Sequence, residues 1–191
     1  DPTVATVDEN GKVTAVKAGQ AVITAKVIEN RETASCTIIV QSDLASKLML
    51  KENSKLNRDD IGYIRRVSFK TPVSDIKNEF INENIKFIKY DDVGKEIVLG
   101  DTDFIGTGTI VRLMDVNAIS DEAKFVITGD VDGDGMCTLK DSTHIMQYLL
   151  EVEDFAPYQI GAADINGDGF VNNKDAALIA RYVAGLEAIN G

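Results

Sequence analysis

Two twelve-residue stretches near the C-terminal end carry nearly all of the chemistry this chain can offer. The first runs Asp130-Val-Asp-Gly-Asp-Gly-Met-Cys-Thr-Leu-Lys-Asp141, the second Asp164-Ile-Asn-Gly-Asp-Gly-Phe-Val-Asn-Asn-Lys-Asp175. They begin 34 residues apart and align position for position. Each sets oxygen-bearing side chains at positions 1, 3, 5, 9 and 12 and glycine at position 6, the spacing of a calcium loop. A hard cation takes six to eight oxygens, and a tight glycine turn brings alternate residues inward to supply them. The expected ligands of one ion are Asp130, Asp132, Asp134, Thr138, Asp141 and the carbonyl of Met136. Those of the other are Asp164, Asn166, Asp168, Asn172, Asp175 and the carbonyl of Phe170. Thr138 and Asn172 are the ligands that could act through water. The plain alternative is an acidic Asx-rich surface turn. Two aligned copies, each leading into a helix, weigh against it.

The elements around the loops depart from the usual helix–loop–helix calcium hand. Position 12 is Asp in both copies where Glu is usual. A strand-like run, Phe125-Val-Ile-Thr-Gly129, enters the first loop in place of a helix. Exiting helices are expected over 141–150 and 175–184. Ile145 and Leu149 share a face of the first, with Tyr148 beside them; Ile179, Val183 and Tyr182 repeat the arrangement. The unit reads as loop plus helix, twice, joined by a linker containing Pro157.

The stretch GDVDGDG…KDSTHIMQYLL…AADINGDGFVNNKDAALIARYVAG resembles a dockerin, the module that plugs proteins into cellulosome-type complexes. The resemblance covers about 129–187. It implies an α-helical dockerin with two F-hand loops, two Ca2+, and docking onto a cohesin of a scaffold or cell-surface protein in a cellulosome- or amylosome-type extracellular assembly that degrades polysaccharide. In that family loop positions 10 and 11 and exposed helix positions meet the partner. Carried over, these are Leu139, Lys140, Met146 and Gln147 in the first repeat, and Asn173, Lys174, Ala180 and Arg181 in the second. Only the two lysines match, which points to one dominant docking orientation.

Upstream, residues 1–40 read as short strands. Val4–Val7 leads into a turn at Asp8-Glu-Asn-Gly11, and Lys12–Val16, Gln20–Val27 and Thr33–Val40 follow. The string PTVATVDENGKVTAVKAGQAVITAKV…ASCTIIV resembles the second half of a bacterial Ig-like (group 2) domain, which implies further strands to complete the sheet. Residues 41–128 form a second β-rich module with strands expected over 47–51, 61–69, 84–90, 96–99, 108–114 and 123–128. One helix is expected over 74–81, with Ser74 as its N-cap. Asp92-Val-Gly-Lys95 reads as a hairpin turn. Residues 65–128 resemble the small β-rich unit that precedes dockerins in gut bacterial proteins. With no flexible linker before the first loop, this module is expected to pack rigidly on the dockerin. The fold class is therefore multi-domain: an Ig-like β fragment (1–40), a β-rich module with one helix (41–128), and the helical calcium-loop module (129–191).

Composition bounds the function. A net charge of −11 argues against nucleic acid and anionic membranes. Seven aspartates sit in the two loops, so two calcium ions would offset four charges. No run of 18 apolar residues could span a membrane, and no signal peptide is visible. The expected location is secreted or at a bacterial cell surface. Cys137 stands at loop position 8, where Val171 stands in the other copy, and reads as a buried thiol rather than a disulfide partner of Cys36. Catalysis finds little support. No carboxylate pair outside the loops suggests glycan hydrolysis. His144 reads as a surface or partner-contact residue, and Ser74-Asp-Ile-Lys77 as a helix start rather than a nucleophile motif. A catalytic domain elsewhere in the intact protein stays open. Sugar binding lacks its usual aromatic platform, with no Trp in the chain. The remaining alternative is a calcium-stabilised spacer without a cohesin partner.

Overall fold

The computed structural model describes residues 1–28, 31–40, 46–115 and 118–189. The chain divides into two compact units, Asp1–Ser46 and Lys47–Gly191.

The first unit holds two antiparallel hairpins. β1 (Ala5–Val7) pairs with β2 (Val13–Ala15), and β3 (Gly19–Lys26) with β4 (Thr33–Val40). The Asp8 carboxylate accepts the Asn10 and Lys12 amides at 2.9 and 2.8 Å, and Gly11 takes φ +80°, so this turn is built as the Asp-x-x-Gly pattern requires. Its core is small: Val4, Ala5 and Ala21, with Ile38 and Val40 packed against them.

The described residues of the second unit form a six-stranded sheet and four helices. The strands are β5 (Asn57–Arg58), β6 (Tyr63–Arg65), β7 (Ile85–Tyr90), β8 (Glu96–Val98), β9 (Ile110–Asp115) and β10 (Ala118–Phe125), in the order β5-β6-β10-β9-β7-β8. Among the described residues of this sheet, β10 and β6 run parallel and the other pairs antiparallel. Alternation sorts the faces. Val111 and Leu113 point into a core with Phe87 and Phe125, whose rings stack 6.0 Å apart. Arg112 points the other way, where its guanidinium donates to Glu96, Glu122 and Tyr90. Helix α1 (Val73–Lys77) covers the core face with Val73 and Ile76.

Several expectations change here. Residues 47–51 make only a single bridge, Leu50 to Phe80, while β5 was not foreseen. Strand 61–69 shrinks to β6 because Gly62 and Arg66 both take positive φ (+88° and +66°), which ends a ladder on either side. β10 begins earlier than 123 and ends at Phe125, being one arm of a hairpin with β9. Ser74 does not cap α1: the N-cap is Pro72, and the Ser74 hydroxyl reaches only Asp75.

Arg58 and Asp121 hold the sheet margin. The guanidinium donates to both carboxylate oxygens (2.6 and 3.0 Å), and the Leu48 amide donates to the same carboxylate at 2.8 Å. Burial alone would raise the Asp121 pKa, but the Arg58 hydrogen bond and charge and the Leu48 amide outweigh it and hold it below the ordinary 3.8. A depressed carboxyl stabilises the fold above its unfolded pKa and loses that contribution as pH falls through its folded one. Asp121→Asn should therefore cost about 1–3 kcal/mol at neutral pH. In denaturant titrations the gap between parent and variant should close only at pH values under 3.8. A gap that stayed constant with pH would contradict this account.

Candidate metal centres and docking face

The helical part of the second unit comprises α2 (Leu139–Leu149), α3 (Pro157–Ala163) and α4 (Asn173–Val183). α3 stands where a linker was expected; Pro157 opens it at the first helical position, where its missing N–H costs nothing. α2 and α4 begin two residues earlier than the motif suggested, because Thr138 and Asn172 act as N-caps. Their side-chain oxygens accept the Lys140 and Lys174 amides at 3.2 and 2.9 Å. Ile145, Ile179, Ala163, Ala176 and Val131 form the core between the helices. The Ser142 hydroxyl ties α2 to α4 by donating to the Ala176 carbonyl at 3.0 Å. Val183, expected on the inner face, is 44% exposed.

The two loops are built on one plan. Position 12 is fully buried in both. One oxygen of Asp141 accepts the amides of Val131 and Asp132 (2.7 and 3.2 Å) and the other that of Thr138 (2.8 Å). Asp175 does the same with Ile165, Asn166 and Asn172 (3.0, 3.3 and 2.9 Å). Each aspartate thus closes a capping box at the third helical position while drawing the start of its loop over the helix end. Side chains at positions 3 and 5 accept amides two residues on: Asp132 from Asp134, Asp134 from Met136, Asn166 from Asp168, and Asp168 from Phe170. Position 1 accepts the amide of the position-6 glycine, Gly135 to Asp130 at 3.2 Å and Gly169 to Asp164 at 2.9 Å.

In the first loop this arrangement brings carboxylates together with only the more distant charges of His144 and Lys140 acting against their repulsion at Asp132. Asp130, Asp132 and Asp134 bring ligand atoms within 4.8 Å of one another. Burial, with the charges of Asp141 and Asp132 beside it, pushes the Asp130 carboxyl up to about 7, even though the Thr107 and Gly135 amides oppose the shift. Asp132 is raised for the same kind of reason, burial first and then Asp141. An all-oxygen donor set crowded with negative charge suits a hard divalent cation. Cys137 lies half-buried in the helical core, its thiol pushed up to about 12 by burial and by Asp141 and Asp130. Both cysteines are free.

The second loop differs in its surroundings. Asn166, Asp168 and Phe170 are exposed, and a side chain added at Gly167 or Gly169 would meet open space. In this loop the Asn166 amide group also donates to Asp168 at 3.0 Å and that of Asn172 to the Phe170 carbonyl at 3.3 Å.

The expected docking residues fall on the outer faces of α2 and α4. Leu139 and Lys140 form the first turn of α2 rather than a loop, so Leu139 aligns with Met146, and Lys140 with Gln147, two turns on. Leu139 is 57% and Met146 40% exposed, and Leu150 continues the row. The same positions of α4 hold Asn173, Lys174, Ala180 and Arg181, and Arg181 is paired with Glu187 at 2.8 Å. His144 lies on α2 with its ring 2.7 Å from the Glu153 carboxylate. The motif gave no hint of Thr107, whose buried amide donates to Asp130 at 2.7 Å. A backbone donor in a distant turn leaves no trace in residue type.

Residues 128–184 match the family model of the dockerin type I domain, and residues 1–38 that of the bacterial Ig-like domain (group 2). No curated protein and no solved structure matches the chain. The chain is thus multi-domain, with a β-rich N-terminal region and a dockerin. Dockerin type I domains bind calcium and dock onto cohesins. Both families are typical of extracellular or cell-surface proteins. Among the described residues no helix is long and apolar enough to cross a membrane.

Proposed function

We propose that this chain docks its parent protein onto a cohesin of a cellulosome- or amylosome-type assembly, with one Ca2+ in each loop. The observation that carries the reading is the shared plan of the two loops: positions 1, 3 and 5 accept the matching loop amides in each, and a buried aspartate at position 12 closes each loop onto its helix. The ligands of the first ion are Asp130, Asp132, Asp134, Asp141, Thr138 and the Met136 carbonyl. Those of the second are Asp164, Asn166, Asp168, Asp175, Asn172 and the Phe170 carbonyl. Calcium would offset the excess negative charge of these loops, and so fix the first turns of α2 and α4. The protein's own contribution is to present Leu139, Lys140, Met146 and Gln147 on one rigid face, and Asn173, Lys174, Ala180 and Arg181 on the other.

In this reading the chain itself is not catalytic, and the protein is secreted or displayed by a bacterium that degrades polysaccharide. The apolar row of α2, ringed by Lys140 and Gln147, has the character of an interface centre. That favours docking over a bare spacer. Capture of purified cohesin modules by the full chain in calcium, and their release in EDTA, is the expected result. A chain that binds calcium but captures none of them would be the spacer instead.

A further inference from the structure

The two loops share a sequence plan but not an environment, and the difference lies in the turn 104–109 that leads into β9. This turn lies backbone against backbone on the first loop. A Cβ on Gly106 would overlap the Gly133 carbonyl, one on Gly133 would overlap the Thr107 carbonyl, and one on Gly135 would come within 2.8 Å of the Ile105 oxygen. The Lys70 amide donates to the Gly135 carbonyl at 2.8 Å. In the second loop the equivalent glycines, Gly167 and Gly169, face open space. At the centre of the contact the buried Thr107 amide donates to one oxygen of Asp130, the position-1 ligand, while Gly135 donates to the other. Thr107 is itself fixed by its hydroxyl, which accepts the Ile127 amide at 3.0 Å and donates to the Ile127 carbonyl at 3.3 Å. Asp164 has no such outside donor among the described residues; both its oxygens are held by amides of its own loop.

We propose that the turn 104–109 is a working part of the first calcium site, with Thr107 as the residue that positions Asp130, and that the second site forms without such help. The inference rests on the calcium reading above. Holding a ligand before the ion arrives removes ordering cost from binding, so the first loop should fill at lower free calcium than the second. The turn then braces the start of the first loop at Asp130, while the second loop is the more exchangeable site.

The test uses the full chain in calcium buffered by a chelator, with the amide NMR signals of Gly135 and Gly169 reporting each loop separately. The Gly135 midpoint should lie below that of Gly169. Thr107→Val removes the hydroxyl bridge to Ile127 and should raise the Gly135 midpoint about 10–100-fold, the usual effect of losing a group that orients a ligand, with Gly169 unchanged. Thr107→Ser keeps the hydroxyl and should restore the parent value. Gly106→Ala should shift Gly135 further; if it does not fold, the Thr107 pair decides alone. Equal shifts at both glycines, no shift at Gly135, or failure of Thr107→Ser to rescue would each overturn the proposal. If neither glycine responds to calcium in the parent, the calcium reading itself fails and takes this proposal with it.

Discussion

Stripping calcium from the full chain with EDTA is expected to remove most of the helical signal from α2, α3 and α4 and to leave the six-stranded sheet folded. The reason is one of scale. Among the described residues the helical core is a cluster of five buried apolar side chains ringed by partly buried ones, and its helices are 7 and 11 residues long. Helices of that length are marginal without tertiary support. With calcium at 1,000 times its dissociation constant, each site adds roughly 4 kcal/mol, comparable to the whole stability of a small domain. Without the ion, Asp130, Asp132 and Asp141 repel one another in a half-buried loop. The sheet keeps its own core around Phe87, Phe125 and Ile64. Circular dichroism with and without EDTA reads the first effect, and Phe and Tyr side-chain NMR signals read the second. Substitutions sharpen the expectation. Asp130→Ala or Asp164→Ala should raise the calcium midpoint of its own loop by about 100-fold or more, beyond the usual effect of losing an outer group. Thr138→Ala should act differently, because Thr138 also caps α2; it should cost about 1 kcal/mol of helix stability at saturating calcium. Unchanged helicity in EDTA would end this part of the account.

The second large effect is at the docking face. Leu139→Asp or Met146→Asp should weaken cohesin binding by roughly 30-fold or more, since truncating the apolar centre of an interface costs about 2 kcal/mol or above. Asn173→Ala and Arg181→Ala should each cost under about 1 kcal/mol. The asymmetry is physical. α2 presents a row of Leu139, Met146 and Leu150, while α4 presents Asn173, Ala180 and an arginine already engaged by Glu187. Apolar side chains at the matched docking positions of α2, against Asn173 and Ala180 on α4, favour a single docking orientation. Calorimetric titration of each variant against the same cohesin provides the comparison. Equal, small losses from both helices would sink the single-orientation reading.

Much of this was legible because it is written in residue type and spacing. The duplicated loops are fixed by Asp, Asn and Gly at set intervals, and the hairpins of the first unit by alternation broken at Asp8–Gly11. The start of α2 and α4 could have been read from Thr138 and Asn172, each three residues before an aspartate, had their capping role been weighed against their role as ligands. α3 stands where the sequence reads as a linker containing Pro157, although proline is at home in a first helical turn. The short β5 and β6 depend on positive-φ turns at Gly62 and Arg66, and nothing in an arginine announces such a backbone. Least legible was the turn 104–109. It meets the first loop through amides, carbonyls and missing side chains, so the contact exists only in three dimensions.

The most direct measurement is calorimetric titration of the full chain with cohesin modules, first in calcium and then in EDTA. The account predicts tight one-to-one binding to one or a few cohesins, abolished by EDTA and weakened by Leu139→Asp. Calcium binding with no cohesin partner, or cohesin binding indifferent to EDTA, would contradict it.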